Sequence, residues 1–384
     1  MGHVTRWGRL GAVAVLAFAG LLIPAGPAVA APDCAPPARN VVPDLPWAQQ
    51  WLRPQRIWPL TRGEGVTVAV LDSGVDGQVR QLRGRVDPGQ DTLTGGRADT
   101  DCLGHGTFVA GIVAAGEQPG VGFTGLAPQA RVLPLRVTAD NEHPPSETAL
   151  AAAIRVAAQR GARVIVVGTP VVRAGAQLRA ALEEAEAKDA LVVVASWGST
   201  QQEVPVDPWV TGRVLSVGGF DREGGLVSGT AAPVDLMAPG AGVLSLGPRG
   251  SGHVVEGGNA YAAAYVAGAA VLVRAHHPQL TAAQVKQRLL ATSDRVPRQV
   301  PDPQLGHGAL DLYAAVTAVL PAERGAAAAA VPVSPAVVAR PQPADDRAFR
   351  VATVVAAAAG GLTLLMVAVT LAAPRIRRRR ARAR

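Results

Sequence analysis

The stretch GGNAYAAAYVAG at residues 257–268 runs from a glycine pair directly into a run of small, helix-forming residues. A tight, glycine-led turn into a buried helix is the place where several hydrolase folds carry a nucleophile. Here the junction residues are Ala260 and Tyr261, and only the phenol of Tyr261 offers a reactive group. The stretch therefore indicates either an ordinary buried helix or an active-site helix that lacks its reacting atom.

The N-terminus has the features of an export signal. Two arginines precede an apolar run from Leu10 to Ile23, and the tripeptide AVA that ends at residue 30 supplies a small-x-small cleavage pattern. The apolar run is too short to span a bilayer comfortably. We therefore predict a signal peptide over residues 1–30, with a short buried helix as the alternative, and a mature chain that begins near Ala31.

The C-terminus predicts a membrane anchor. An uninterrupted run of 23 apolar or small residues extends from Val351 to Ala373, and the hydrocarbon core of a bilayer requires about 20. Seven arginines follow in the sequence RIRRRRARAR, and such a cluster marks the cytoplasmic side of a span. We predict a single transmembrane helix over residues 349–373, a cytoplasmic tail over 374–384 and a main domain outside the cytoplasm. A buried globular helix, the alternative, would not leave seven arginines at its exit.

The charge of the chain is concentrated at its ends. The formal net charge is +8, from 37 basic and 29 acidic residues. Without the seven tail arginines and the two in the signal peptide, 28 basic residues face 29 acidic ones. The basic tail is expected to contact anionic lipid headgroups of the membrane, and the balance of the main domain gives no support to a nucleic-acid partner.

The chain has two cysteines, Cys34 and Cys102. An even count in an exported chain favours a disulfide, which would tie the mature N-terminus to a point 68 positions further on. In the loop-entropy description such a bond stabilises a fold by roughly 4 kcal/mol. Two free thiols are the alternative, and a metal site is not expected because no paired histidines accompany the cysteines.

The chain between its two ends divides into three segments. Residues 31–44 are rich in proline and predict an extended arm, and residues 45–321 hold the folded domain. Residues 322–348 are rich in alanine and proline with little to bury, which is typical of a tether.

The folded domain alternates strand and helix patterns. Four apolar runs predict buried strands, namely VTVAVLD (66–72), RVLPLRV (131–137), ARVIVV (162–167) and LVVVAS (191–196). Three small-residue patterns between them predict helices, namely GTFVAGIVAAG (106–116), ETALAAAIRVAAQRG (147–161) and AQLRAALEEAEAKD (176–189). This alternation predicts an α/β fold, with a parallel sheet and helices on both faces.

Two residues in this framework could carry chemistry. Asp72 ends the first strand, and ligands of open parallel sheets gather at the carboxyl ends of strands. A ribose-binding role for Asp72 is disfavoured because no G-x-G-x-x-G turn precedes it. His105 lies between glycines at the start of a helix. A lone histidine there is usually structural, whereas an aspartate and a histidine together suggest an oriented imidazole.

The order of an aspartate, a histidine and a glycine-led helix resembles the subtilisin-like serine proteases. Two motifs of that family, D-[ST]-G and H-G-T-x-V-A-G, match at residues 72–74 and 105–111. The third, G-T-S-x-A-x-P-x-V-A-G, matches at Gly258, Ala262, Val266, Ala267 and Gly268. It departs at three positions, where Asn259 stands for threonine, Ala264 for proline and Ala260 for the nucleophilic serine.

The chain is similar in particular to the mycosins, membrane-anchored subtilisin relatives associated with type VII secretion in actinobacteria. The similarity includes residues 42–76, a cysteine just before the histidine motif, the sequence HPQLTAAQVKQRLLATSD at 277–294 and the tethered C-terminal span. It covers residues 31–384, and it implies a subtilisin-like fold and partners in a type VII secretion membrane complex.

The resemblance assigns roles to individual residues and shows where the chemistry is incomplete. Asp72 and His105 occupy retained triad positions, whereas Ala260 occupies the position of the missing serine. Ser199, in the sequence ASWGS, stands where the family's A-A-G-N segment supplies an asparagine amide to the oxyanion hole. Residues 166–168 replace an Asn-x-Ser that borders the substrate groove. An engineered knockout would change one residue, whereas here three regions differ.

Three functions remain open from the sequence. The first is a scaffold, an inactive mycosin-like domain that supports a type VII secretion complex. The second is a protease with a non-standard nucleophile, for which Tyr261 is a poor candidate because its pKa is ordinarily about 10 and its side chain is expected to point away along the helix. The third is a module that binds a peptide in the former active-site cleft without cutting it. No cofactor or metal ion is implied, and the sequence favours the scaffold.

Overall fold

The apolar runs of the domain form a parallel sheet. The structure, a computed structural model, describes residues 2, 34–140, 143–169, 171, 173–196, 207–227, 234–294, 300–302, 304–323, 357–364 and 366. The strands of the sheet in these residues are β1 (Thr67–Asp72), β2 (Gln90–Asp91), β3 (Arg131–Arg136), β4 (Val164–Val167), β5 (Leu191–Ala195), β6 (Val214–Phe220) and β7 (Leu236–Pro239). They pair in the order β2-β3-β1-β4-β5-β6-β7, and every pair is parallel.

Helices connect the strands, and several begin at side-chain caps. The α-helices of the described residues are α1 (Trp47–Leu52), α2 (His105–Ala114), α3 (Glu147–Gln159), α4 (Ala176–Ala187), α5 (Pro208–Arg213), α6 (Asn259–His276), α7 (Ala282–Ala291) and α8 (Leu312–Thr317). Ser146 begins α3 by accepting a hydrogen bond from the N–H of Ala149. Thr281 and Gln284 form a capping box at the start of α7.

The sheet is buried on both faces. On one face Val68 and Val70 of β1 belong to a core shared with α2 and α6. On the other face Ala69 and Leu71 belong to a core shared with α3 and α4. Because alternate side chains of a strand point to opposite faces, a sheet covered by helices on both sides requires continuous apolar strands. The predicted α/β fold is confirmed.

Helix α6 runs through the first core beside β4 to β7 and α2. Every residue from Ala260 to Arg274 is buried. A Cβ at Gly268 would lie 3.0 Å from the Cβ of Leu126, which is tighter than ordinary packing. The small residues of this helix therefore allow the close approach that its burial requires.

All four predicted strands and all three predicted helices are present, but the sequence analysis missed other strands. It did not predict β2, β6 or β7 of the sheet. It also missed an antiparallel hairpin of β8 (Val243–Leu246) and β9 (His253–Glu256). These segments are short or contain glycine and proline, which weaken the pattern by which strands are recognised.

The N-terminal arm lies against the domain. Residues 34–43 contain no helix or strand. The N–H of Ala35 donates to the carbonyl oxygen of Cys102 at 2.8 Å, and the N–H of His253 donates to that of Asn40 at 2.7 Å. Backbone hydrogen bonds thus tie both ends of this segment to the domain.

The chain divides into two compact units, Met1–Glu323 and Arg324–Arg384. The first contains the sheet and its helices, and in the second, residues 357–364 and 366 are helical. Within the described part of the chain, no helix is both long and apolar enough to cross a membrane. Most of the predicted span at 349–373 lies outside the described residues, as do nearly all of the predicted signal peptide, most of the linker and the whole basic tail.

The buried hydroxyl of Tyr265 generates a prediction about stability. The side chain lies within α6 at 0% exposure, and its hydroxyl has no hydrogen-bond partner among the described residues. A buried hydroxyl without a partner loses its hydration and gains nothing in return. We expect Tyr265→Phe to raise the free energy of unfolding by about 1 kcal/mol, measured by thermal or urea denaturation. Tyr313→Phe is the control because Tyr313 is 41% exposed, and equal effects of the two substitutions would contradict the prediction.

Candidate active site

Asp72 is the last residue of β1, at the carboxyl edge of the sheet. Strand β1 lies between β3 and β4; the chain continues from β1 toward β2 and β3 on one side and from β4 toward β5 on the other. Such a reversal opens a crevice at the strand ends, where ligands of open α/β sheets bind. The carboxylate is 4% exposed, and its Oδ1 accepts a hydrogen bond from the N–H of Ser73 at 2.7 Å. The fold thus fixes one oriented, buried acid at this edge.

His105 is the first residue of α2, and glycines allow it to approach Asp72. Gly104 precedes it with a φ of 89°, a left-handed conformation that glycine adopts without strain. A Cβ at Gly106 would lie 2.0 Å from the carbonyl oxygen of Gly74, so the start of the helix touches the end of the strand. The Nδ1 atom of His105 lies 2.8 Å from each carboxylate oxygen of Asp72.

The carboxylate controls the protonation of the imidazole. Burial lowers the pKa of His105, but the charge of Asp72 and the hydrogen bond to it outweigh burial, so the pKa lies above the usual 6.5. A carboxylate at Nδ1 holds a proton on that nitrogen. This leaves Nε2 to exchange a proton with a group in the cleft. The pair is therefore able to orient an imidazole as an acid or a base.

Asp101, which the sequence analysis did not single out, joins the two motifs. Its Oδ1 accepts hydrogen bonds from the hydroxyl of Ser73 at 2.9 Å and from the N–H of Gly104 at 2.8 Å. Its Oδ2 accepts from the hydroxyl of Thr107 at 2.7 Å and from the N–H of the same residue at 2.8 Å. The only sequence signal was an acid four positions before His105. Ser73 and Thr107 thus serve as structural links.

The start of α6 is held by a side chain of the glycine-led stretch. Asn259 accepts a hydrogen bond from the N–H of Gly219 at 2.8 Å and donates one to the carbonyl oxygen of Ser196 at 3.0 Å. These bonds join the helix start to the ends of β5 and β6. Ala260 follows in the first turn and is 7% exposed. Its side chain is a methyl group, which has no atom that can attack a substrate.

The expectation that Tyr261 points away along the helix is wrong. Its ring centroid lies 5.3 Å from that of His105 and 4.4 Å from that of Phe108. Helical side chains lean toward the N-terminus of their helix, so a residue of the first turn reaches back over the helix start. Burial raises the pKa of the Tyr261 phenol well above its usual 10, which makes it a still weaker nucleophile.

Gly168 lies against the aspartate–histidine pair. It follows β4, and a Cβ at this position would lie 2.5 Å from Oδ2 of Asp72 and 3.2 Å from Cε1 of His105. Only glycine therefore fits here without movement. Together with Thr138 and His143, these residues line a cleft of about 280 Å³. Val166 and Val167, by contrast, are buried in the sheet and do not face a groove.

The remaining predicted site residues divide into two groups. Cys34 and Cys102 form a disulfide with a Cα–Cα distance of 4.6 Å. Because Cys102 is three positions before His105 in the sequence, the disulfide attaches the N-terminal arm beside the start of α2. Ser199 lies outside the described residues. In the described part of the chain, no three histidine, cysteine, aspartate or glutamate residues form a group that could hold a metal ion.

The aspartate–histidine pair generates a prediction about pH. Because the folded pKa of His105 lies above 6.5, its protonation stabilises the fold below pH 6.5, and this contribution is lost as pH rises through the folded pKa. Diethyl pyrocarbonate modifies only neutral imidazole, so its rate of reaction with His105 should reach half its maximum above pH 6.5. Asp72→Asn should lower that midpoint by about one pH unit or more.

Peptide mass spectrometry of the full-length protein measures this reaction at each pH. Asp87→Asn is the matched control because Asp87 pairs with Arg131 instead. A midpoint that Asp72→Asn leaves unchanged would show that the carboxylate does not set the pKa of His105.

Comparison with known proteins agrees with this geometry. The model of the subtilase family matches residues 63–308. Mycosin-4 of Mycobacterium tuberculosis is 35% identical over 370 residues, which cover 84% of this chain and 80% of the relative. The crystal structure of MycP1 from the ESX-1 type VII secretion system is 32% identical, with a TM-score of 0.65 over 75% of this chain and 90% of that one.

A further structural match is a chain in the periplasmic assembly from the ESX-5 inner membrane complex. It is 28% identical, with a TM-score of 0.64 over 75% of this chain and 89% of that one. The sequence-based expectation of a subtilisin-like α/β fold is thereby confirmed. The chain belongs to the subtilase family and, within it, to the mycosins.

Proposed function

We propose that this chain is a membrane-anchored, extracytoplasmic mycosin that has lost its protease activity and supports a type VII secretion complex. The observation that carries the proposal is Ala260, which stands in the first turn of α6 where the family motif has its serine. Its neighbour Tyr261 contacts His105, so this turn faces the aspartate–histidine pair. The pair is retained, but the atom that it would activate is missing.

The family mechanism requires that atom. A serine hydroxyl attacks the scissile carbonyl, the histidine takes its proton and the aspartate holds the histidine in the correct tautomer. A methyl group can form no acyl intermediate. In subtilisin, a relative of this chain, loss of the serine lowers turnover about 10⁶-fold. Asp72 and His105 without a nucleophile would therefore be a structural pair.

Two other features support inactivity. Ser199 stands where an asparagine amide would stabilise the oxyanion, and loss of such a donor costs about 3–4 kcal/mol of transition-state stabilisation. Gly168 stands where the family has serine, and a Cβ there would lie 2.5 Å from Oδ2 of Asp72. The backbone of this chain thus approaches the carboxylate too closely for a restored serine to fit without movement.

The relatives and the sequence features at the ends of the chain support membership of a secretion complex. One relative was determined within the periplasmic assembly of the ESX-5 inner membrane complex, and another is described as part of the ESX-1 type VII secretion system. The signal peptide proposed from the sequence would export this domain, and the proposed span at 349–373 with its basic tail would hold it at the membrane beside such a complex. The tail would contact anionic lipids of the inner surface.

Two alternatives rest on specific observations. The cleft beside Asp72 and His105 is open enough, at about 280 Å³, to accept part of a peptide, which favours a peptide-binding module that does not cut. The intact 2.8 Å contact between Asp72 and His105 is what a protease with a non-standard nucleophile would need. The buried phenol of Tyr261, with its raised pKa, does not meet that need.

The proposal predicts no peptidase activity. The full-length protein should not react with a fluorophosphonate probe and should not cleave unstructured casein. Ala260→Ser alone should restore little activity, because the oxyanion donor and the segment around Gly168 remain altered. Ala260→Ser combined with Ser199→Asn should react with the probe faster than either single variant.

The control for this experiment is His105→Ala in each background. Cleavage of casein by the unmodified protein that His105→Ala abolishes would show that the chain is an active enzyme. Binding of unmodified casein without cleavage, reduced by Gly168→Val, would instead favour the peptide-binding module.

The scaffold role predicts complex membership that is independent of catalysis. After extraction in mild detergent, the tagged protein should migrate on blue-native gels in a complex far larger than a single chain, which with its signal peptide has a mass of 39.2 kDa. His105→Ala should migrate in the same complex, since the proposed role does not use the imidazole. Migration as a single chain at every detergent concentration would contradict the scaffold role.

A further inference from the structure

We propose that a second surface of this protein, separate from the active-site cleft, docks an acidic peptide segment of another protein. The surface is a groove of about 480 Å³ between α1, the residues after β6 and the start of α8. We call it the arginine groove after its three arginines, Arg53, Arg56 and Arg222. It shares no lining residue with the cleft at Asp72 and His105.

Aromatic side chains form a rigid part of the groove. Trp51 is 40% exposed and Tyr313 is 41% exposed. Trp51 packs edge-on against Phe220, with the ring centroids 5.1 Å apart. Trp47, which also lines the groove, donates its indole N–H to the carbonyl oxygen of Gly242 at 2.8 Å. Fixed, partly exposed aromatic side chains are enriched at sites that contribute most to protein binding.

The three arginines of the groove are available to a ligand. All three are exposed, and none forms an ion pair with a carboxylate among the residues that the structure describes. Some other arginines of the domain are ion-paired, as Arg274 is with Asp189. Arg56 lies over the ring of Tyr313, 4.0 Å from the centroid, which presents its guanidinium group at the groove wall. A guanidinium group binds carboxylates through paired hydrogen bonds.

Arg53 occupies a backbone position that does not suit an arginine. Its φ of 50° and ψ of 54° are left-handed, and its N–H donates to the carbonyl oxygen of Gln49 at the end of α1. Glycine or asparagine usually fills this position because other residues adopt the conformation at a cost. Pro54 follows and further restricts the residue before it. A strained residue whose charge has no partner among the described residues points to a role in binding.

The groove favours a peptide over a charged membrane surface. Asp294 and Asp311 also line it, and Oδ1 of Asp311 is held by the N–H of Ala314 at 2.8 Å. These carboxylates would repel a dense anionic layer. They would, however, accept hydrogen bonds from the backbone N–H groups of a peptide whose acidic side chains pair with the arginines. The occupant is therefore an acidic peptide segment with an apolar side chain for the aromatic part of the groove.

A peptide selection tests the proposal and does not depend on whether the chain cleaves peptides or joins a secretion complex. Immobilised full-length protein in detergent is exposed to a phage library of random peptides. Wild type should enrich peptides that are rich in aspartate and glutamate and contain an apolar residue. The triple variant Arg53→Gln/Arg56→Gln/Arg222→Gln should lower recovery of those peptides about tenfold, equivalent to roughly 1.4 kcal/mol.

A matched triple variant controls for total charge. Arg39, Arg80 and Arg83 are also exposed but do not line the groove, so their replacement by glutamine should leave recovery unchanged. Enriched peptides without an acidic bias would overturn the proposal. So would equal recovery by the two triple variants, or a groove variant that loses binding to phosphatidylglycerol vesicles but not to peptides.

Arg53→Gly separates binding from folding. Because glycine adopts the left-handed conformation without strain, this variant should have a melting temperature at least as high as that of wild type. It should nevertheless recover fewer acidic peptides, because the guanidinium group is gone. Recovery equal to that of wild type would exclude Arg53 from the docking surface. Its left-handed conformation would then have no role in binding.

Discussion

The burial of α6 is the constraint on which the rest of the domain depends. This helix lies against four strands and α2 at once, and its residues from Ala260 to Arg274 have almost no contact with water. Only small side chains allow a helix to approach its neighbours on so many sides. The same packing decides where the helix begins, because its first turn then faces the carboxyl edge of the sheet. The position of the site is thus a consequence of how α6 packs in the core.

A second constraint acts at that edge, where Asp101 accepts hydrogen bonds from both motifs. These bonds hold the end of β1 and the start of α2 in one arrangement. The contact between Asp72 and His105 depends on that arrangement and not on a nucleophile. This explains in physical terms how the pair can persist in a chain with a methyl group at Ala260. Retained triad residues are therefore weak support for catalysis when hydrogen bonds around them also hold the fold together.

The two surfaces of the domain differ in the chemistry that they present. The cleft at Asp72 has a volume of about 280 Å³, and the backbone at Gly168 lies close to the carboxylate of Asp72. The arginine groove is larger, at about 480 Å³, and presents aromatic side chains and three arginines that form no ion pair among the described residues. If the chain is inactive, as proposed, and its cleft no longer binds a substrate, recognition by this protein would depend on surfaces such as the arginine groove. A secretion complex that retains an inactive mycosin would then use it for its contacts.

The sequence by itself determined the α/β class, the strands β1, β3, β4 and β5 and the three helices α2, α3 and α4. It also determined the family, because long apolar runs and adjacent motif residues are local signals. It could not place Asp101 or orient Tyr261, and it missed β2, β6, β7 and the hairpin. Those features depend on partners that are distant in the chain, such as the 4.4 Å contact of Tyr261 with Phe108. The arginine groove likewise consists of residues from α1, the segment after β6 and the start of α8, which lie far apart in the sequence and meet only in the folded chain. Contacts of this kind leave no periodic pattern in a sequence, since each arises from the packing of the whole core.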